Sequence, residues 1–336
     1  MKSFYQGFIR VVLFNSMSAI ALALLPLSAI AQSKAAPFND YPNKPIKLIV
    51  AAAAGGNADF VSRLIGSKVG EALGQPFVID NRAGASGMIA AEATVKASPD
   101  GYTLLLVGSS FQSNPGLYPD MPYDPLNDLA PITMPSNAPT VLVITPSVPA
   151  TNVRELVEVA RANPGKLNYA AAAQGGGPHL AGELLKVMAK VEISHVAYKG
   201  AAQVMTDLIA GRTQLSFASL PSVISHVRSG KLRAIAVTST KRSAAMPDLP
   251  TMIESGYPGF ELGAWQGMFS TAGTPRPIID KLHREIIKAI HTPEVLKSFA
   301  AEGAEPVGNT PDEFAKWLRA EIPRWTKFIN TLGIKV

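Results

Sequence analysis

From residue 45 onward two kinds of segment alternate along the chain. Short apolar runs rich in branched residues lead into Gly- or Asp-bearing loops, and these lead into stretches whose apolar positions recur every three or four residues. Ile46, Leu48, Ile49 and Val50 make the first run, and Phe60, Leu64 and Ile65 mark a helix over about 59–73. Pro76 to Ile79 reads as the next strand. A turn-rich loop runs from Asn81 to Gly87, a small-residue helix follows around Met88 to Ala97, and Asp100 with Gly101 turns the chain into a strand from Tyr102 to Val107. Alternation of this kind predicts a parallel or mixed sheet with helices on both faces. The proline-rich stretch from Pro115 to Pro131 reads as an extended surface excursion.

A second unit opens at Val141 to Ile144. Thr151 is the expected N-cap of a helix carrying Val153, Leu156, Val157 and Ala160, which Pro164 and Gly165 end. Leu167 to Tyr169 forms a strand, Leu180, Leu184, Leu185 and Met188 a helix face, and His195 to Tyr198 a short strand. Val204, Leu208 and Ile209 lie on a helix stopping at Gly211. The strand Leu215 to Ala218, a helix from Pro221 to Arg228 and the strand Leu232 to Val237 complete the unit.

Beyond Pro258 two amphipathic faces remain. Ile278, Ile279, Leu282, Ile286, Ile287 and Ile290 define one; Phe314, Trp317, Leu318, Ile322, Trp325, Phe328 and Ile329 define the other. Pro323 is expected to kink or divide the second helix. Having no sheet of their own, these helices are placed against the first unit, so the chain crosses between lobes near 135–140 and again near 255–262. The expected class is α/β, two lobes joined by a two-crossing hinge, the geometry of a ligand-closing binder. Residues 1–31 stand apart, 32–137 with 260–336 make lobe 1, and 138–259 make lobe 2.

The N-terminal segment reads as a secretory signal. Lys2 and Arg10 precede an apolar run from Val11 to Ile30, and Ala29-Ile30-Ala31 matches a small-x-small cleavage pattern before Gln32. The alternative, an uncleaved anchor, is disfavoured by Asn15, Ser16, Ser18 and Pro26 within the run. Losing the signal removes two cationic residues and no acid, so the formal charge of +6 falls to +4. That mild, scattered excess gives no support for nucleic-acid binding. Cysteine count is zero, which excludes disulfides, thiolate nucleophiles, Cys-bound metals and lipidation at a cleavage-site cysteine. A free, exported, monomeric periplasmic protein is the expectation.

Candidate chemistry centres on two similar phrases. Four alanines run into glycines at Ala51 to Gly56, and again at Ala170 to Gly177, each time between a strand and a helix. Glycine admits close backbone approach, and a helix start offers unpaired N–H groups with partial positive charge. Two such loops on two lobes suit a small anion held between them. The candidate contacts are therefore Ala54, Gly55, Gly56, Asn57, Ala58 and Asp59 on one side, and Gln174, Gly175, Gly176 and Gly177 on the other. Asp59 suits an N-cap better than a ligand group. His179 is balanced between ligand contact and packing, and Tyr198 with Lys199 between a distal ligand contact and a solvated turn. Ser109 and Ser110 follow the strand from Tyr102, outside a strand's carboxyl end, where open α/β sheets bind ligands. Trp265 reads as core or hinge packing. The histidines are scattered without ligand spacing, so no metal is expected, and no cofactor fingerprint, Gly-x-Ser-x-Gly elbow, His-Glu-x-x-His or Walker loop occurs. An enzyme is not expected.

Read together, several phrases resemble the Bug family, the extracytoplasmic receptors of tripartite tricarboxylate transporters. They are Tyr41-Pro42 with Pro45-Ile46, Gly55-Gly56-x-x-Asp59, Asn81-Arg82-x-Gly84-Ala85-x-Gly87, Asp100-Gly101-Tyr102-Thr103-Leu104 and Pro122-Tyr123-Asp124-Pro125. Farther on come Pro164-Gly165-Lys166-Leu167, His179-Leu180-Ala181-Gly182-Glu183, His195-Val196 with Tyr198-Lys199-Gly200, Gly230-Lys231-Leu232-Arg233-Ala234, Pro247-Asp248-x-Pro250-Thr251 and Gly273-Thr274-Pro275. Their order and spacing cover nearly the whole mature chain. The resemblance implies a Venus-flytrap fold of the periplasmic binding protein type, a small carboxylate held by one carboxyl group against the two strand-to-helix loops, and a membrane partner of two integral subunits. Departures occur at Ala53 and Ala54, where the family usually has prolines, at Ala171 and Ala173, where it carries Ser and Gly, and at Ala197, where it has proline. Two other readings stay open: a receptor presenting its ligand to a sensor kinase, and a hydrolase or isomerase on the same scaffold.

Overall fold

The computed structural model describes residues 40–55, 57–172, 175–198, 201–301 and 303–333. The expected signal therefore lies outside the described residues, as do the candidates Gly56, Gln174 and Lys199 and the side chain of Asn57.

β1 (Ile46–Val50) and β3 (Thr103–Gly108) form the centre of the first sheet, pairing in parallel. Their side chains separate by parity, as the period of two in a strand demands. Leu48, Val50, Leu104 and Leu106 face one layer of helices, and Ile49, Leu105 and Val107 face the other. The first layer is α1 (Asn57–Leu73), α8 (Arg276–Ile290) and α9 (Pro293–Ala301). The second includes α2 (Met88–Val95), α3 (Ser110–Leu117) and the front half of α10 (Pro311–Leu332). The sheet order is β11-β4-β10-β3-β1-β2, where β2 is Phe77–Asn81, β4 Leu129–Asn137, β10 Gln266–Thr271 and β11 Glu305–Pro306. β10 runs antiparallel to both of its neighbours.

The second sheet has order β7-β6-β8-β5-β9: β5 is Thr140–Ile144, β6 Asn168–Ala172, β7 Ser194–Tyr198, β8 Leu215–Ser219 and β9 Arg233–Val237. Leu142, Ile144, Tyr169 and Phe217 pack under α4 (Val153–Ala162) and α5 (Gly177–Ala189). Val141, Val143 and Val237 pack on the other face, with Val204 buried on α6 (Ala201–Ile209) beside Leu208, and Leu220 and Val223 on α7 (Leu220–Arg228).

The two lobes are joined by adjacent crossings. The chain passes from β4 to β5 through Ala138 and Pro139, and returns to β10 through Leu262, Gly263 and Ala264. Ala264 N–H donates to Ala138 O at 2.8 Å, and Pro139 bridges Gly263, so the two passes are tied together. α10 links the lobes a third time. Phe314, Leu318 and Ile322 belong to the first lobe's core, while Trp325 and Ile329 join the second lobe's core together with Leu117 of α3.

Four expectations need correction. Residues beyond Pro258 do contribute a strand: β10 is buried along its whole length, and its polar Thr271 and Ser270 hydrogen-bond to Thr94 O and Thr274 Oγ1, which erased any apolar period. The stretch Pro115 to Pro131 is not one excursion, since Pro115 sits within α3 and Pro131 within β4. β11 pairs only at the far end of β4, so the missing N–H of Pro131 interrupts no ladder on that side. Pro323 does not divide α10, which runs as one 22-residue helix; the core contacts of Ile322 and Trp325 on either side offset the lost hydrogen bond. Finally, the cap of α4 is Asn152, whose Oδ1 accepts from Glu155 N–H at 2.9 Å, while Thr151 donates to the Glu155 carboxylate. Among the described residues no helix is long and apolar enough to cross a membrane.

Candidate ligand site

The two glycine loops share one device. Gly55 and Gly175 both hold positive φ, 82° and 75°, which glycine adopts without steric penalty. In each, the glycine N–H donates to a side chain four residues later. Gly55 reaches Asp59 Oδ2 at 2.9 Å, and Gly175 reaches His179 Nδ1 at 2.8 Å. Both amides thus have acceptors within the protein.

The two acceptors have different chemistry. Asp59 is buried and pairs with Arg63 at 3.0 Å; the Arg63 hydrogen bond, then the Gly55 amide, hold its carboxyl down to about 2. His179 is 4% exposed and stacks on His195 at 4.1 Å, with Tyr169 stacked beyond. Tyr169 Oη donates to Glu183 Oε1 at 2.7 Å, and Lys186 pairs with the same carboxylate. Burial, then the neighbouring His195, push the His179 imidazole down to about 4. At neutral pH it is an uncharged acceptor at Nδ1, with the proton on Nε2.

Between the lobes lies a cavity of about 220 Å³. The first lobe contributes Ser109. The second contributes Gly177 and Pro178 from α5, Ala201, Val204 and Met205 from α6, Ser216 to Ser219 from β8, and Ser222 from α7; Thr140 and Leu262 to Ala264 line it at the crossings. Ser109 Oγ lies 3.8 Å from the point a Cβ on Gly177 would occupy, so the starts of α3 and α5 face each other across the cleft. α6 and α7 also begin at this cavity, with Ala201 first in α6 and Ser219 capping α7. Helix starts leave their first N–H groups without intrahelical partners, so four converging starts make a seat for negative charge.

Of the sequence candidates, Ser109 and Gly177 therefore line the cavity. Gly176 caps α5, and Gly175 packs under Leu117 of the opposite lobe. Ser110 Oγ donates to Ser86 O at 3.0 Å. Among the described residues Ala54, Gly55, Ala58 and Asp59 are not in the lining. Tyr198 Oη donates to Asp207 Oδ2 at 2.7 Å in a separate surface hollow with Gln203 and Thr206. Trp265 packs at the hinge, its Nε1 donating to Gln112 Oε1 at 3.0 Å. The lining residues Thr140, Val204, Met205, Ser216, Phe217, Ser219, Ser222 and Leu262 were not singled out by sequence; only the α7 start, with Pro221 in its first turn, carried a readable signal. No group of three potential metal ligands occurs among the described residues.

A family model described as "Tripartite tricarboxylate transporter family receptor" matches residues 61–334. The chain belongs to that family. It is 38% identical to Protein BugT of Bordetella pertussis over 319 residues, 94% of this chain and 98% of the relative. Two solved structures are similar throughout. The periplasmic binding protein BugD shares 34% identity at a TM-score of 0.73, over 88% of this chain and all of that one. R. palustris Rpa4515, solved with adipate, shares 37% identity at a TM-score of 0.76 over the same shares. The fold is thus that of the periplasmic binding proteins, and the protein is a solute-binding receptor rather than an enzyme.

Proposed function

We propose that this receptor captures a small organic carboxylate between its lobes and hands it to a transporter with two integral membrane subunits. The ligand's carboxyl group sits between Ser109 and the first turn of α5 at Gly177. Lobe 1 comprises residues 32–137 and 260–336 and lobe 2 residues 138–259, with the rear half of α10 shared at the joint. Residues 1–31 direct export and are removed. The observation that carries this reading is the approach of Ser109 Oγ to Gly177 at the mouth of two opposed helices. The adipate held by a relative of similar fold supports the ligand class.

A helix start contributes roughly 0.3–2 kcal/mol to an anion, whereas micromolar affinity needs about −8 kcal/mol. The remainder must come from direct hydrogen bonds and burial of the ligand body as the lobes close. A thermal-shift panel of organic acids tests the reading, since a ligand at a hundredfold excess over Kd adds about 2.7 kcal/mol of stability. Stabilisation by at least one small carboxylate is expected. Stabilisation only by neutral sugars or cations would overturn it.

A further inference from the structure

We infer that the ligand is an acid with an unsubstituted apolar body, bound in preference to hydroxy acids of the same skeleton. This rests on the carboxylate reading above and specifies what lies beyond the carboxyl group. Five hydroxyls line the cavity among the described residues, and four of them already have acceptors within the protein. Ser216 donates to Ala170 O at 2.8 Å, Ser222 to Ser219 O at 2.7 Å, and Ser219 to Ser222 Oγ at 3.1 Å. Thr238 donates to Leu262 O, so the 2.8 Å contact between Thr140 and Thr238 has Thr140 as the donor. Ser109 alone among these has no side-chain partner within the described residues, and it faces the carboxyl seat.

The rest of the described wall is apolar. Val204 and Met205 on α6, Phe217 and Ala218 on β8, and Leu262 at the crossing present carbon and sulfur. A methylene against this wall gains affinity from leaving water. A ligand hydroxyl turned toward Val204, Phe217, Ala218 or Leu262 is dehydrated without a side-chain partner there, and groups left so are strongly disfavoured. The lining oxygens of Thr140, Ser216 and Ser222, whose protons are committed, can accept from it but not donate to it.

Matched pairs isolate the difference. The purified full mature chain is titrated calorimetrically with succinate against malate, and with butyrate against 3-hydroxybutyrate. The unsubstituted member of each pair binds at least about fivefold tighter, and hexanoate binds more tightly than butyrate by up to about fourfold per methylene. Val204→Thr, nearly isosteric, adds a hydroxyl to the wall and narrows the succinate-to-malate ratio. Equal or tighter binding of the hydroxy acids by the wild type overturns this inference and leaves the carboxylate reading intact. Failure of every acid to bind, in a chain that melts cooperatively, removes both. The wild-type comparison stands whether or not the Val204→Thr variant folds.

Discussion

Replacing Gly175 with alanine separates closure of the lobes from stability of the second loop. Two penalties arise. The first is local: at φ +75° an alanine carries a backbone cost of about 1–2 kcal/mol in the folded protein, with or without ligand. In the proposed closing mechanism the second arises where the lobes meet, because the new Cβ would lie 2.5 Å from Leu117 Cδ1 and 3.2 Å from Cδ2. Leu117 belongs to α3 of lobe 1, is 5% exposed, and sits in the second lobe's core cluster. To relieve a contact about an ångström too short it must withdraw from that cluster, and full exposure of a Leu forfeits about 1.5–3 kcal/mol. Partial withdrawal amounts to about 1–2 kcal/mol charged to the closed form, so ligand affinity should fall roughly five- to thirtyfold. Calorimetry with the tightest-binding acid reads this directly. The double variant Gly175→Ala with Leu117→Ala restores the space, so the two substitutions should couple by about 1 kcal/mol or more in binding. Unchanged affinity of the single variant, or strictly additive effects in the cycle, would refute the argument that Leu117 seats on Gly175 in closure.

Three further outcomes follow from the geometry. Ser109→Ala removes the uncommitted hydroxyl at the carboxyl seat and should weaken acid binding by about 1.5–3 kcal/mol, the worth of a hydrogen bond to a charged group, with little change in melting temperature. His179 is neutral in the fold down to about 4 but protonates near 6.5 when unfolded; the unfolded chain binds more protons between these values, so stability falls as pH drops through that window, by up to about 3 kcal/mol. Denaturant melts from pH 7.5 to 4 check this, and His179→Asn, which keeps an acceptor and cannot titrate, should flatten the profile. Asp59→Ala leaves the Gly55 amide without its acceptor and Arg63 with only its 3.4 Å bond to Asn81 Oδ1, and should cost about 1–2 kcal/mol in the same melts. Because Asp59 is held near 2, its contribution in the wild type persists to pH 4 and is lost only on further acidification toward 2.

Much of the fold was legible because strands with two apolar faces leave continuous runs. Ile46 to Val50 and Leu104 to Val107 show this, and the helices facing them carry their own period. β10 was hidden because Gln266, Gly267, Ser270 and Thr271 are buried polar or small residues, with Thr271 satisfied by Thr94 O far away in the sequence and Ser270 by the Thr274 hydroxyl. The prolines of β4 read as loop because nothing in the sequence marks one side of that strand as unpaired. The glycine loops were visible as loops, but the capture of Gly55 by Asp59 and of Gly175 by His179 depends on where the first helical turn points a side chain. Likewise Ser109 was found from its place after a strand, whereas Val204, Phe217 and Leu262 looked like ordinary core. They reach one cavity only because α6, β8 and the return crossing meet there.

The most direct measurement is a crystal structure of the mature chain grown with the tightest-binding acid of the panel. Closed lobes are expected, with the carboxylate oxygens within hydrogen-bonding distance of Ser109 Oγ and the first-turn amides of α5, and the carbon body against Val204, Phe217 and Leu262. A carboxylate seated away from Ser109 and Gly177, or held on one lobe with the cleft open, would contradict it.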